Sequence, residues 1–106
     1  MSMASVAQYP WQRSYPEGIP LTVEPSRYPN VVAIIEESFQ EHADKIAYSC
    51  MGRHLTYEEL EARSRDLAAY FQKVGLSKGD RVAVMLPNIL QSPITVMAAL
   101  RAGLVV

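Results

Sequence analysis

Residues Arg81 to Val106 constrain the fold more than any other stretch of this chain. Arg81 to Leu86, R-V-A-V-M-L, is nearly all apolar, as a strand covered on both faces should be. Pro87-Asn88 ends it. Ile89 to Ala102 has the periodicity of a helix, and Gly103 is placed to cap it. Pro93 falls in or near the first turn, where a missing N–H is tolerated. Leu104-Val105-Val106 then opens a second buried strand. Strand, helix, strand in that order predicts a right-handed βαβ unit with parallel strands. Such strands need sheet neighbours and a covering layer on each face. The residues up to Val106 supply neither. The expectation is therefore the opening segment of a larger α/β protein, with most of its chemistry beyond Val106.

Upstream, the chain reads as an arm followed by helix, hairpin and helix. Pro10, Pro16, Pro20, Pro25 and Pro29 punctuate residues 1–29 and bias their predecessors away from helix. Tyr9, Trp11, Tyr15 and Tyr28 are interleaved with them, which predicts an extended arm that docks its aromatic groups on another surface. Asn30 is a candidate N-cap for a helix running to about Ala43, with Val31, Ile34, Ile35, Ser38 and Phe39 on one face. Ile46 to Met51 predicts a strand with Ile46, Tyr48 and Cys50 on one side. Gly52-Arg53 is read as the tight connection, and His54 to Thr56 as the returning strand.

The clearest helix is Tyr57 to Val74. Thr56 and Glu59 have capping-box spacing, and Gly75 suits the left-handed position after the last turn. Leu60, Leu67, Ala68, Phe71 and Val74 form its apolar stripe. Glu59–Arg63 and Glu61–Arg65 are expected ion pairs on the wet side. The domain reading is an arm over residues 1–29 and an incomplete α/β subdomain over residues 30–106.

Composition narrows the function classes. A chain of 106 residues is one domain at most. Its formal net charge of −1, with the signs interspersed, argues against a nucleic-acid partner. A single cysteine, Cys50, allows no internal disulfide and suits a reducing compartment. No apolar run approaches the ~18–20 residues that span a bilayer. Met1 to Ala7 has no positively charged stretch ahead of an apolar one, so no secretory leader is expected. The expected location is cytoplasmic, with peripheral membrane contact left open. A homodimer through exposed apolar faces or through the arm is also left open.

The search for chemistry returns no catalytic, cofactor-binding or metal-ligating residue. Neither a G-x-x-x-x-G-K-[ST] loop nor a G-x-G-x-x-G turn occurs, and the glycines read as caps and turns. His42 and His54 lack metal-ligand spacing and read as a helix-end residue and a hairpin residue. Cys50 has no neighbouring cation to lower its pKa and reads as a small buried strand residue. Asp80 reads as a turn residue bonding backbone rather than as an acid catalyst. Ser49, Ser64 and Ser92 lack the context of a nucleophile.

Three blocks nevertheless carry a resemblance. Leu55-Thr56-Tyr57-Glu58-Glu59-Leu60 resembles the L-T-Y-x-E-L signature of adenylate-forming (AMP-binding) enzymes. Gly79 to Asn88 resembles that family's G-D-R-V-A-x-x-L-P-N stretch, and Leu100 to Val106 resembles its L-[KR]-A-G block. Trp11 to Pro20 and Leu86 to Pro93 are similar to segments of bacterial long-chain fatty-acyl-CoA synthetases. The resemblance implies a parent that is an ATP- and Mg²⁺-dependent ligase joining a fatty acid to coenzyme A through an acyl-AMP. Its phosphate loop, nucleotide motifs and catalytic lysine have no counterpart among these residues, so the segment alone is expected to be inactive and to bind no cofactor. Two other readings stay open. One is a segment of a medium-chain, aryl-acid or amino-acid-activating ligase. The other is a free-standing, non-catalytic interaction module.

Overall fold

A computed structural model describes residues 9–106; the expectation about a leader in Met1 to Ala7 lies outside the described residues. The arm is not extended throughout. Pro10–Ser14 forms one 3₁₀ turn, started by Pro10 and closed by reciprocal bonds between Tyr9 and Gln12. The Tyr9 and Trp11 rings stack on each other, with centroids 4.5 Å apart, and both stay exposed. Tyr28 ends the arm by donating its hydroxyl to the Glu37 carboxylate.

Helix α1, Val31–Glu41, begins where expected. The Asn30 carboxamide oxygen accepts from the Ala33 N–H at 2.9 Å. Strands β1, Ile46–Cys50, and β2, Arg53–Thr56, pair antiparallel. The turn between them is Met51-Gly52, both at positive φ, rather than Gly52-Arg53. Two consecutive left-handed residues match the right-handed twist of a two-residue hairpin, and Arg53 is thereby freed to pair with Cys50. A register irregularity between Ile46 and Tyr48 also breaks the expected alternation. Ala47 packs on the core, while Ile46 and Tyr48 are exposed.

Helix α2, Tyr57–Lys73, carries the full capping box. Thr56 Oγ1 accepts from the Glu59 N–H at 3.2 Å, and Glu59 Oε2 accepts from the Thr56 N–H at 2.9 Å. That duty turns Glu59 back along the helix, and the expected pairing with Arg63 does not form. Glu61–Arg65 does form, at 2.9 Å. At the other end Gly75 N–H reaches Gln72 O, and Leu76 N–H reaches Phe71 O. This Schellman pattern requires the left-handed φ of +98° at Gly75.

Helix α3 is Gln91–Arg101. Its C-terminus repeats the pattern through Gly103 and Leu104, so α2 and α3 stop for the same reason. Arg81 to Leu86 is the main departure from expectation. It is extended, but it forms one isolated parallel bridge, Arg81 to Val105, instead of a strand. Val82 N–H donates to Val105 O, and Val105 N–H to Asp80 O, each at 2.8 Å. Among the described residues this bridge is not extended into a ladder. The parallel strand–helix–strand topology is present in this abbreviated form.

The core sits where α1, β2, α2 and α3 meet. Phe39, Leu55 and Leu60 are its buried centre, with Ile35, Tyr57, Ile94 and Met97 around them. Fully burying each such side chain contributes about 1.5–3 kcal/mol. Ala68, Ala98, Ala99 and Leu104 are also buried. The expected stripe on α2 fades toward its end, where Val74 is exposed.

Candidate functional site

The hairpin and the N-terminal half of α3 do not close on each other. They leave a groove of about 500 Å³ lined mostly by Tyr48, Cys50, Leu90, Pro93, Val96 and Met97. Its shape follows from the two turns that frame it. Met51-Gly52 reverses the hairpin at one end, and Pro87-Asn88 leads into α3 at the other. Cys50 is half-buried rather than buried, and its thiol donates to the Asn88 carbonyl at 3.6 Å, tying the two rims. The volume lies within the ordinary range of small-molecule sites, about 300–1,000 Å³.

A second hollow of about 340 Å³ shares Cys50, Ile89 and Leu90 with this groove and is lined also by Arg53, His54 and Arg63. His54 is held by its neighbour across the hairpin, with Ser49 Oγ 2.7 Å from its Nδ1. Neither Arg53 nor Arg63 has a carboxylate partner among the described residues.

The other residues weighed from sequence fall to structural duties. Asp80 accepts from the Ser77 N–H at 2.7 Å and closes the turn before the parallel bridge. His42 ends α1, leaning on the Tyr57 ring. Ser64 is fully buried; its hydroxyl donates to the Glu61 carbonyl at 2.9 Å and accepts from Arg101 Nε at 3.1 Å. Ser92 lines the groove wall beside Pro93. Among the described residues, no group of three or more His, Cys, Asp or Glu side chains could hold a metal ion.

Arg101 was not singled out by sequence reasoning. It reaches from the last turn of α3 to pair with Glu36 of α1, covers the Phe39 ring at 5.5 Å and bonds Ser64 of α2. Arg65 joins the same carboxylate at 3.5 Å. A basic residue in a last helical turn reads as a solvated dipole partner, and nothing local signals that this one points inward.

Comparison with known proteins gives a consistent result. The sequence model of a family described as "AMP-binding enzyme" matches residues 35–106, more than half of the chain. A long-chain-fatty-acid–CoA ligase of Escherichia coli O6:H1 is 45% identical over 97 residues, covering 91% of this chain and 17% of that protein. Its namesake in Yersinia pestis is 44% identical over the same shares. Among solved structures, the N-terminal subdomain of Klebsiella oxytoca NpsA, in complex with 3-hydroxyanthranilyl-AMSN, superposes with a TM-score of 0.68 at 32% identity, covering 70% of this chain and 19% of that one. The chain therefore spans about a sixth of the length of the curated relatives it matches.

Proposed function

The chain belongs to the AMP-binding enzyme family, and from that premise we propose that it is the opening segment of a long-chain fatty acid–CoA ligase. The 45% identity to such a ligase across 91% of the chain carries this reading. In the proposed parent, a fatty carboxylate oxygen attacks the α-phosphorus of ATP and pyrophosphate leaves. The thiol of coenzyme A then attacks the acyl carbonyl and AMP leaves. Both steps concentrate negative charge, which must be met by fixed positive groups. Mg²⁺ is implied for the parent; among the described residues no group of three or more His, Cys, Asp or Glu side chains gathers to hold it.

The segment's own contribution is architectural. Three helices locked around Arg101 and Glu36 present the extended Arg81–Leu86 stretch and Val105 as the start of a parallel sheet. No helix among the described residues is long and apolar enough to cross a membrane. A cytoplasmic location belongs to the proposal, as does the division into an arm over residues 1–29 and a subdomain over residues 30–106. So does a homodimer through the arm or the exposed apolar faces. Removing Met1 to Pro25 is expected to weaken such a dimer, and an unchanged sedimentation coefficient would refute it.

Palmitate-dependent exchange of pyrophosphate into ATP tests the main reading. Full-length protein is expected to show it, and the 106-residue chain to show none. A full-length protein that exchanges only with aryl or amino acids would favour the second reading, to which the NpsA likeness lends weight. A native species of about 11.8 kDa that unfolds cooperatively as a monomer would favour the interaction module.

A further inference from the structure

Two segments that leave helix ends meet in the parallel bridge. Asp80 to Val82 follow the C-terminus of α2, and Val105 follows that of α3. The two 2.8 Å bonds between them therefore require α2 and α3 to stand at one axial register. A slip of one residue along a helix is about 1.5 Å, and of one turn about 5.4 Å. N–H···O bonds tolerate a spread of only about 0.5 Å, so either slip breaks both. Packing of the two helices does little to prevent it. Apart from Leu60, their buried residues are small: Ser64 and Ala68 on α2, Ala98 and Ala99 on α3. Apolar burial is non-directional, and short side chains interlock poorly.

The contact between Ser64 and Arg101 is directional. Among the described residues it is the one side-chain hydrogen bond between α2 and α3. Both of its ends are fixed by other contacts. Ser64 Oγ donates its proton to the Glu61 carbonyl, which leaves the oxygen as an acceptor for Arg101 Nε. The Arg101 guanidinium is held by Glu36 and lies over the Phe39 ring. Its Nη2 is buried without a hydrogen-bond partner among the described residues. A group present for stability alone would not leave a buried donor open, since that costs free energy. Buried polar pairs add little net stability over apolar residues of similar size, and setting register is their best-attested use.

We infer that the Ser64–Arg101 bond is a register pin, which fixes the axial position of α3 against α2 and thereby the pairing of Val105 with Arg81. Gly103 transmits that position. Its carbonyl accepts from the Gly79 N–H at 2.9 Å, and its Cα faces the Lys78 side chain. Ser64 and Arg101 are thus positioning residues for the bridge, and Glu36 steadies Arg101. The inference rests on the fold alone and stands whichever acid the proposed parent activates.

Native-state hydrogen exchange on the 106-residue chain tests this, with protection at Val82 and Val105 set against that at Leu60 to Ala68. In the unaltered chain both sets should be protected. Ser64→Ala should lower protection at Val82 and Val105 at least about tenfold more than across α2, as loss of a buried hydrogen bond implies. Arg101→Lys should do the same, because a single ammonium lacks the fork that serves Ser64 and Glu36 together. That variant decides the matter if Ser64→Ala does not fold. Glu36→Gln should lower both sets in proportion, since its carboxamide oxygen still accepts from Nη1. A folded Ser64→Ala that loses protection in step across both sets would overturn the inference and leave the pair a stabilising contact. Unprotected Val82 and Val105 in the unaltered chain would overturn it too, since no register would then be held. So would a selective loss at the bridge in Glu36→Gln alone, which would assign the role to the ion pair.

Discussion

Arg101 joins three helices through one side chain, and its removal isolates Glu36 and Ser64 together. Its side chain is 11% exposed and that of Glu36 is 29% exposed, so the pair is only partly desolvated. Arg101→Met is expected to destabilise the chain by about 2 kcal/mol, below the 3–5 kcal/mol of a fully buried pair. A double-mutant cycle with Glu36→Gln in urea should show favourable coupling. At Tyr28, the hydroxyl bond to Glu37 raises the phenol above its ordinary 10.0. A raised folded pKa means that this contact is intact below the unfolded value and is lost as pH rises through the folded one. Spectrophotometric titration should show the Tyr28 midpoint moving back toward 10.0 in Glu37→Gln. Residue roles were legible where the partner is three positions away, as at Asn30, Thr56 and Asp80. They were not legible where the partner is another element, as for Arg101 and Ser64, because local spacing carries no information about a contact 37 residues distant.

Elements differ in how completely they close their own hydrogen bonds. In α2 both termini are satisfied by sequence-local groups, which is why its limits could be read from Thr56, Glu59 and Gly75. Thr56→Ala should lower stability by about 1 kcal/mol, measured as a reduced urea midpoint with unchanged slope. Gly103 is constrained twice over, by a φ of +75° and by the Lys78 side chain, which an added Cβ would approach to 3.1 Å. Gly103→Ala should therefore lower the melting temperature, with a loss on the order of 1–2 kcal/mol for a strained left-handed residue. The Arg81–Leu86 stretch is the opposite of α2. Its apolar run and its parallel direction beside Val105 were legible, but the short extent of its pairing was not, since a strand is completed by partners and not by its own residues. Amides of Val84 and Leu86 should exchange with solvent far faster than those of Leu60 to Ala68, a contrast measurable by hydrogen exchange.

At the scale of the molecule, the radius of gyration is 18.4 Å and the extents are 58 × 36 × 26 Å. A compact domain of this length would have a radius of about 13 Å. The difference reflects a small core beside an arm whose Tyr9, Trp11, Ile19, Leu21 and Val23 are exposed. The aromatic density of the arm was legible; that Tyr9 and Trp11 would stack on each other was not, because stacking follows from the 3₁₀ turn at Pro10. The groove was equally hidden, since its walls come from segments nearly forty residues apart that only the fold of α2 brings together.

The single parallel bridge from Arg81 to Val105 bears on how the proposed parent is made. On a ribosome, the N-terminal residues emerge first and can fold while the remainder is still being translated. Once α3 has docked, that bridge fixes strand spacing and direction before any later strand exists. Strands synthesised afterwards then extend a template already in register, and the nascent chain avoids searching among alternative pairings.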